Sequence, residues 1–270
     1  PPRSTLFPYT TLFRAPYSLL RDYSSQQLAN ALKISQSSVV KFSQKLGFKG
    51  YPDLKFSIGE AVARDNGGGE ARATQAAKEN PHAALAESLW RSKAQAEEET
   101  RHINPPERID SIADAIAAAG RVFCIGLGAD DVPARAFAAR LALLGIHVVH
   151  HSDVVLMTSS IATAAKGDVL LAFSEHGDQH ALYQLARQFR ELRGKVITVT
   201  RHSANALRAR ADASLLVSAH DDRAHIEPLL YQSALQHLLD LIFVLLCENG
   251  HGRRAQLESN LERIRRVLEP

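Results

Sequence analysis

Five short apolar runs recur beyond residue 120, and each is followed by a turn and a stretch with helical periodicity. The runs are RVFCIG, IHVVHH, DVLLAFS, KVITVT and ASLLVSA, at 121–126, 146–151, 168–174, 195–200 and 213–219. Strands that are apolar throughout must be buried on both faces, and crossover helices provide that cover in parallel sheets. The pattern therefore predicts a doubly wound α/β domain with a five-stranded parallel sheet. Its helices are expected at roughly 131–144, 153–165, 178–193 and 204–210.

Longer helices are predicted on both sides of this sheet. Residues 81–103 place Leu85 and Leu89 on one side of a helix that ends before two prolines. Residues 228–248 form a helix that is apolar around much of its surface, so it should pack on the sheet or against a partner subunit. A charged amphipathic helix is predicted over 251–270.

Neither a membrane span nor an oxidising compartment is predicted. No uninterrupted apolar run approaches the roughly 20 residues that a bilayer-spanning helix needs. The two cysteines, Cys124 and Cys247, lie in segments that are predicted to be buried, which is typical of a reducing compartment. The chain is therefore expected to be cytoplasmic and to have no membrane partner.

The charge is distributed unevenly between the two parts of the chain. Residues 1–64 contain nine Lys and Arg against three Asp and Glu, whereas the remainder contains 23 basic and 26 acidic residues. A small basic domain joined to a larger, mildly acidic one favours nucleic acid as the partner of the first domain only.

Residues 25–46 have the spacing of a helix-turn-helix. Ala29 provides the small side chain that two crossing helices require, and Ile34 is the small apolar residue after the turn. Val39 and Phe42 are expected to face inward from the second helix, and Ser35 to cap it. Lys33 stands at the turn position that usually holds glycine.

The outward positions of the second helix are candidates for DNA contact. Gln36 can pair with an adenine edge, the serines with a base edge or phosphate, and Val40 with a thymine methyl, while the lysines fix register on phosphates. The predicted contacts are Ser35, Gln36, Ser37, Val40, Lys41, Lys45 and Lys49. The alternative is an ordinary helical hairpin with a solvated basic face.

The stretch SQSSVVKFSQKLGFKGYPDLK is similar to the signature of the MurR/RpiR family of bacterial transcriptional regulators: a recognition helix, then LGFKG, then an aromatic-x-x-L-K helix. The resemblance runs from about Ser18 to the end, and it implies a sugar isomerase (SIS) domain after the DNA-binding domain. It departs at the start, where such regulators have a further helical segment. Here the run TLFPYTTLFR resembles a translated sequencing adapter.

These observations divide the chain into six parts. They are 1–17 (an artefact or disordered), 18–64 (an all-α helix-turn-helix domain), 65–80 (a polar, glycine-rich linker), 81–104 (a connecting helix), 105–250 (the SIS domain) and 251–270 (the C-terminal helix).

The family resemblance places an effector site where strand ends meet helix starts. The candidate ligand-binding residues are Gly126, Gly128, Ala129, Ser174, His176, Gly177, Asp178, Thr200, Arg201 and Ser203. Family members usually have a serine or another small residue where Asp130 and Asp131 stand, and Asp131 is expected to cap the following helix. The family pattern Ser-x-Ser-Gly-x-Thr also departs at His176 and at Asp178-Gln179. Arg201 is the best remaining anion ligand nearby.

This altered site leaves several interpretations open. It could bind a phosphosugar weakly, a less anionic sugar derivative, or nothing, because Asp178 at a helix start repels a phosphate dianion. The histidines at 147, 150, 151, 176 and 180 match no metal-binding spacing. Glu227, His225 and Glu175 are candidate isomerase groups that no motif fixes in place.

The sequence therefore predicts a DNA-binding transcriptional regulator that senses a sugar or phosphosugar derivative. No catalytic residue, cofactor or metal is predicted. The expected partners are an operator in double-stranded DNA, a small sugar-derived effector and a second copy of the chain, in a homodimer or homotetramer. The alternatives are an SIS-domain phosphosugar isomerase or binding protein without DNA function, and a structural homodimer with a vestigial pocket.

Overall fold

The computed structural model describes residues 23–32, 34–55, 57, 80–221, 223–249 and 252–269. The chain divides after Arg91 into two compact units, each of which is described by itself. The sequence predictions for 1–22, for Lys33 and for 58–79 lie outside the described residues.

The first unit contains the two helices of the predicted helix-turn-helix, α1 (Ser25–Ala31) and α2 (Gln36–Lys45). A capping box starts α1: Ser24 Oγ accepts from the Gln27 backbone N–H, and Gln27 Oε1 accepts from the Ser24 N–H. Ser35 caps α2 by accepting from the Ser38 N–H at 3.2 Å. A further helical segment covers the described residues at 51–57.

A small apolar core holds these helices together. Ala29 and Val39 are fully buried, as the spacing predicted, and the Tyr51 hydroxyl donates to the Tyr23 carbonyl at 3.0 Å. The core residues are Tyr23, Leu28, Ala29, Val39, Phe42, Tyr51 and Leu54, with Leu32, Ile34 and Phe48 packed against them. Burying one face in this way leaves the opposite face of α2 in solvent.

The second unit is a parallel five-stranded sheet in the order β2-β1-β3-β4-β5, which confirms the predicted fold class. The strands are β1 (Val122–Ile125), β2 (Val148–His150), β3 (Val169–Phe173), β4 (Lys195–Arg201) and β5 (Ala213–Val217). The helices are α3 (Pro81–Ile103, which enters this unit from Ser92), α4 (Pro106–Ala117), α5 (Asp131–Leu143), α6 (Val154–Ile161), α7 (His180–Glu191), α8 (Glu227–Asn249) and α9 (Arg253–Leu268).

Two local predictions were wrong. The segment 204–210 was expected to be helical, but only Arg208–Arg210 forms a short 3-10 turn. Its geometry is set by Asn205, whose Oδ1 accepts from the Arg208 N–H at 2.8 Å. Helix α4 was missed because Pro105 and Pro106 were interpreted only as a helix stop, although proline is also favoured in a first helical turn.

Helix α8 is the one helix among the described residues that is long and apolar enough to cross a bilayer by length and composition. Its apolar character has another explanation, because eight of its residues are buried inside the second unit. It packs against α4, α5, α9 and β5. That pattern is typical of a core helix, although Leu229, Leu241 and Val244 on its other side stay exposed.

Edge strand β5 is covered by side chains from the end of α3 and from the residue that follows it. Asn104 Nδ2 donates to the Leu216 carbonyl at 2.6 Å, and its Oδ1 accepts from the Leu216 N–H at 3.0 Å. Thr100 Oγ1 accepts from the Ser218 N–H at 2.9 Å. Both side chains are buried, so they replace the missing neighbour strand and fix α3 along this edge.

Candidate DNA-reading helix and effector site

The predicted DNA contacts lie on α2 or just beyond it, on the side that faces away from the small core. Ser35 occupies the cap, Val40 is half-buried, and Lys41, Lys45 and Lys49 are exposed. Gln36 and Ser37 are also exposed: Gln36 Nε2 donates to Ser25 Oγ at 2.9 Å, and Ser37 Oγ lies 2.9 Å from Ser35 Oγ. The first turn of α2 carries no acidic residue that would oppose DNA phosphates.

The candidate effector residues gather at one end of the sheet. In the order β2-β1-β3-β4-β5, the chain passes from β1 to β2 on one side and then crosses back to β3 on the other side of β1, so the topological switch point lies between β1 and β3. Ligands of doubly wound sheets bind at such a point, outside the carboxyl ends of the strands. The two flanking connections are 126–131 after β1 and 174–179 after β3, called here the first and second loops.

The first loop folds back on itself immediately after β1. A Cβ on Gly126 would overlap the backbone of Asp130, so only glycine permits this turn. Gly128, with φ of +62°, starts a 3-10 turn that also contains the exposed Ala129. The prediction that Asp131 caps α5 was wrong, because the helix begins at Asp131 itself and Asp130 precedes it without a side-chain capping bond.

Asp131 turns instead toward β2. Its Oδ2 accepts from Ser152 Oγ at 2.9 Å, and its Oδ1 lies 3.4 Å from His150 Nε2. The other ring nitrogen of His150 lies 3.0 Å from the Cys124 carbonyl. The ring is therefore held through its other nitrogen by the strand pair, whereas its Nε2 faces Asp131 Oδ1 without a hydrogen bond.

Asp130 joins the two loops. Its Oδ1 accepts from the Glu175 backbone N–H at 3.1 Å, and its Oδ2 lies 3.3 Å from Gln179 Nε2. Burial raises the pKa of Asp130, and the nearby Glu175 and Asp178 carboxylates raise it further, while the hydrogen bond from the Glu175 N–H and the nearby His176 oppose the shift. A backbone donor of the second loop is thus already engaged by a carboxylate of the chain.

The second loop is held by internal hydrogen bonds. Ser174 Oγ accepts from the Gly177 N–H at 3.1 Å, and the buried Thr200 hydroxyl donates to the Glu175 carbonyl at 3.2 Å. Asn205 Nδ2 donates to Thr200 Oγ1 at 2.9 Å. The hydroxyls that were predicted to bind a ligand therefore also stabilise the loop that would hold it.

Three other predicted residues lie at the rim. His176 and Asp178 are exposed, and Ser203 is half-buried with its carbonyl accepting from Arg208 Nη1 at 3.1 Å. Helix α7 begins at His180 after Gln179, which provides no side-chain cap. Asp178 thus lies in the approach to α7, where its charge opposes an incoming anion.

Arg201, the predicted anion ligand, lies between two carboxylates. It donates to Glu175 Oε1 at 2.6 and 2.8 Å and to Glu227 Oε1 at 2.7 Å. It also donates to the Ala219 carbonyl at 2.8 Å and lies over the Tyr231 ring. Burial alone would lower the pKa of Arg201, but the hydrogen bonds to Glu227 and Glu175 raise it. Its positive charge is therefore already balanced within the chain.

Among the described residues the arrangement supplies no three-ligand metal site, and both candidate carboxylate bases are paired with Arg201. No group of three or more His, Cys, Asp or Glu side chains among the described residues could hold a metal ion. Glu175 and Glu227, the candidate isomerase bases, accept hydrogen bonds from the same guanidinium. His225 is exposed in the turn before α8.

Asn205, Gln179 and Tyr231 complete the site and were not predicted as part of it. Asn205 fixes Thr200 and the turn at Arg208, Gln179 approaches Asp130, and Tyr231 lies under Arg201. The spacing of hydroxyl-bearing residues and glycines along the sequence could not have revealed these three residues, because their roles depend on contacts between separate loops.

Gly177→Ala is expected to destabilise the protein by about 2 kcal/mol more than Gly128→Ala. Both glycines have φ near +60°, so an alanine pays a similar backbone penalty of about 1 kcal/mol at either position. A Cβ at Gly177 would also overlap the Asn205 side chain and disrupt two of its hydrogen bonds, each worth about 1 kcal/mol, whereas nothing lies within 4 Å of one at Gly128. Urea unfolding of both variants measures the difference, and equal losses would refute the role of Asn205.

Comparison with known proteins finds the same two domains in this chain. The helix-turn-helix domain of the rpiR family matches residues 12–65, and the SIS domain matches residues 115–243. The chain is 32% identical over 246 residues to the uncharacterised HTH-type transcriptional regulator YfhH of Escherichia coli K12, covering 91% of this chain and 85% of that protein. A helix-turn-helix joined to an SIS domain defines a DNA-binding transcriptional regulator. The chain belongs to the RpiR family of these regulators.

Solved structures share the fold. The Vibrio vulnificus NanR protein complexed with ManNAc-6P is 17% identical, with a TM-score of 0.66 and coverage of 100% of this chain and 96% of that chain. The sugar isomerase domain of an RpiR transcription factor from Sphaerobacter thermophilus is 17% identical, with a TM-score of 0.60 and coverage of 66% and 98%. A Methanococcus jannaschii protein with an inferred 3-hexulose-6-phosphate isomerase function is 18% identical, with a TM-score of 0.51 and coverage of 64% and 94%.

Proposed function

We propose that this regulator reads an operator with α2 and changes its affinity for DNA when a sugar-derived effector binds between the first and second loops. The observation that carries the proposal is the position of these loops at the topological switch point of the sheet. The fold likeness to NanR, which was solved with a sugar phosphate, supports a sugar derivative as the ligand.

The exposed face of α2 supports base reading at its N-terminal end. Gln36 can exchange its bond to Ser25 for an adenine edge, and Val40 can contact a thymine methyl. Lys41, Lys45 and Lys49 contribute the phosphate contacts that provide most of the salt-dependent affinity. The domain division predicted from the sequence, with 18–64 as the DNA-binding part and 105–250 as the sensor, belongs to this proposal.

A continuous set of contacts leads from the effector loops to α3. Glu175 of the second loop binds Arg201, and Arg201 binds the Ala219 carbonyl just beyond β5. The neighbouring Ser218 is hydrogen-bonded to Thr100 of α3, and Leu216 to Asn104, the residue that follows α3. An effector that displaces Glu175 would therefore act on the edge strand to which the connecting helix is fixed.

We propose that the acting form is a cytoplasmic homodimer or homotetramer. Two recognition helices about 34 Å apart would meet successive half-sites of one operator. Movement of α3 on effector binding would change that spacing and so the operator affinity. Two half-sites in the selected DNA at this separation would support the proposal, and a single unrepeated site would contradict it.

We propose further that the SIS domain is not an isomerase. A proton-transferring carboxylate must be free to reach the substrate, and Glu175 and Glu227 are both bound to Arg201. Turnover of aldose or ketose phosphates by the full chain would contradict this part of the proposal and favour the enzyme alternative.

The test begins with selection of bound duplexes from a random DNA pool by the full chain. The selected operator should bind at least about a thousandfold more tightly than random DNA at physiological salt, as measured by fluorescence anisotropy. Plain, amino and phosphorylated sugars are then added to the complex, and at least one should change the operator affinity. Binding without sequence preference would refute the DNA-reading role, and an operator affinity that no sugar changes would refute the sensing role.

A further inference from the structure

We infer that Asp130 occupies the place of an effector phosphate, so that the site selects a neutral or amine-bearing sugar derivative without a phosphate group. This inference rests on the proposed effector site and names its ligand class. It assigns Asp130 a role in specificity, since its carboxylate binds the loop that a phosphate would bind.

The geometry of Asp130 carries the inference. Loops that lead from a strand into the start of a helix bind phosphate through their backbone N–H groups. In this chain the Glu175 N–H, in the second loop, donates to Asp130 Oδ1 at 3.1 Å, and Gln179 Nε2 lies 3.3 Å from the other carboxylate oxygen. Gly126 permits the close turn that brings Asp130 into this position. The chain therefore supplies its own anion to the second loop.

The carboxylates around Asp130 act in the same direction, whereas the neighbouring His176 acts against them. Arg201 is the cation at the centre of the site, and it is bound by both Glu175 and Glu227. Asp178 lies exposed before α7. A phosphate dianion would have to displace Asp130 and approach several carboxylates, whereas hydroxyl and ammonium groups can donate to the same oxygens.

The experiment measures binding of inorganic phosphate to the full chain by isothermal titration calorimetry. Asp130→Ser frees the Glu175 N–H and removes one negative charge, so it should bind phosphate at least about tenfold more tightly than the unchanged protein. Asp212→Ser is the matched control, because Asp212 also accepts from one backbone N–H, that of Val196, at the opposite end of the sheet. The control should leave phosphate binding unchanged, and an Asp130→Ser protein that gains nothing would overturn the inference.

A second variant protects the test against a folding defect. Asp130→Asn keeps an acceptor for the Glu175 N–H but removes the charge, so a gain of about threefold is expected from the charge alone. If Asp130→Ser unfolds, the absence of any gain in Asp130→Asn overturns the inference.

Matched sugars separate this inference from the proposed function. N-acetylmannosamine and glucosamine are each compared with their 6-phosphates for binding to the unchanged protein and for their effect on the selected operator. Preference for the unphosphorylated partner supports the inference, and preference for the 6-phosphate overturns it while the sensing role survives. If Asp130→Ser gains phosphate binding but no sugar changes operator affinity, the sensing role fails and the assignment of Asp130 to the phosphate position stands.

Discussion

Replacing Gln36 with alanine and Lys41 with glutamate in one protein is expected to weaken operator binding by at least about a hundredfold. Gln36 is exposed at the start of α2, where a bidentate bond to adenine is worth about 1–3 kcal/mol. Lys41 is exposed one turn further on, and its reversal removes a phosphate contact and adds repulsion. Each loss of about 1.4 kcal/mol in binding free energy lowers the operator affinity tenfold.

The separate substitutions distinguish base reading from charge. Gln36→Ala should relax the preference for one base pair with little change in salt dependence, whereas Lys41→Glu should weaken binding to all sequences and reduce the salt slope by about one or more. Lys166→Glu in the exposed turn before β3 makes the same charge change outside the helix-turn-helix and is the control. Equal losses in this control and in the double variant would show that α2 does not read DNA.

The sheet could be predicted because its signal is local. Each of the five apolar runs corresponds to one observed strand, and the order of alternation leaves few parallel topologies. The helix-turn-helix was predictable for the same reason, since Ala29 and Val39 are spaced by the crossing of two adjacent helices. Even so, Pro105 and Pro106 hid the start of α4, because proline both ends one helix and begins another.

The candidate site was less predictable because its contacts join distant segments. Asp130 meets Glu175 across 45 residues, and no periodic pattern records which carboxylate crosses to which loop. The capping role expected for Asp131 failed because a 3-10 turn places Asp130 immediately before the helix. Asn205 was hidden inside a segment that was expected to be helical, although its side chain sets the turn there.

Arg201→Met is expected to lower the free energy of unfolding by about 3 kcal/mol. The guanidinium is 14% exposed and binds two carboxylates, so its removal leaves Glu175 and Glu227 in a largely buried setting without their common partner. Breaking a buried ion pair from one side costs about 3–5 kcal/mol, and the lower figure applies because Glu227 is 30% exposed. Urea unfolding followed by far-ultraviolet circular dichroism measures the change.

Restoring charge balance separates a structural Arg201 from an anion-binding one. Adding Glu175→Gln and Glu227→Gln to the methionine variant removes both unpaired charges, so most of the lost stability should return, because a neutral replacement of a buried ion pair is often tolerated. If Arg201 serves mainly as the effector's anion ligand, the single variant should instead unfold at nearly the unchanged urea concentration and lose binding of sugar phosphates. The pairing of Arg201 with two carboxylates of its own chain favours the first result, because a guanidinium with balanced charge attracts a further anion only weakly.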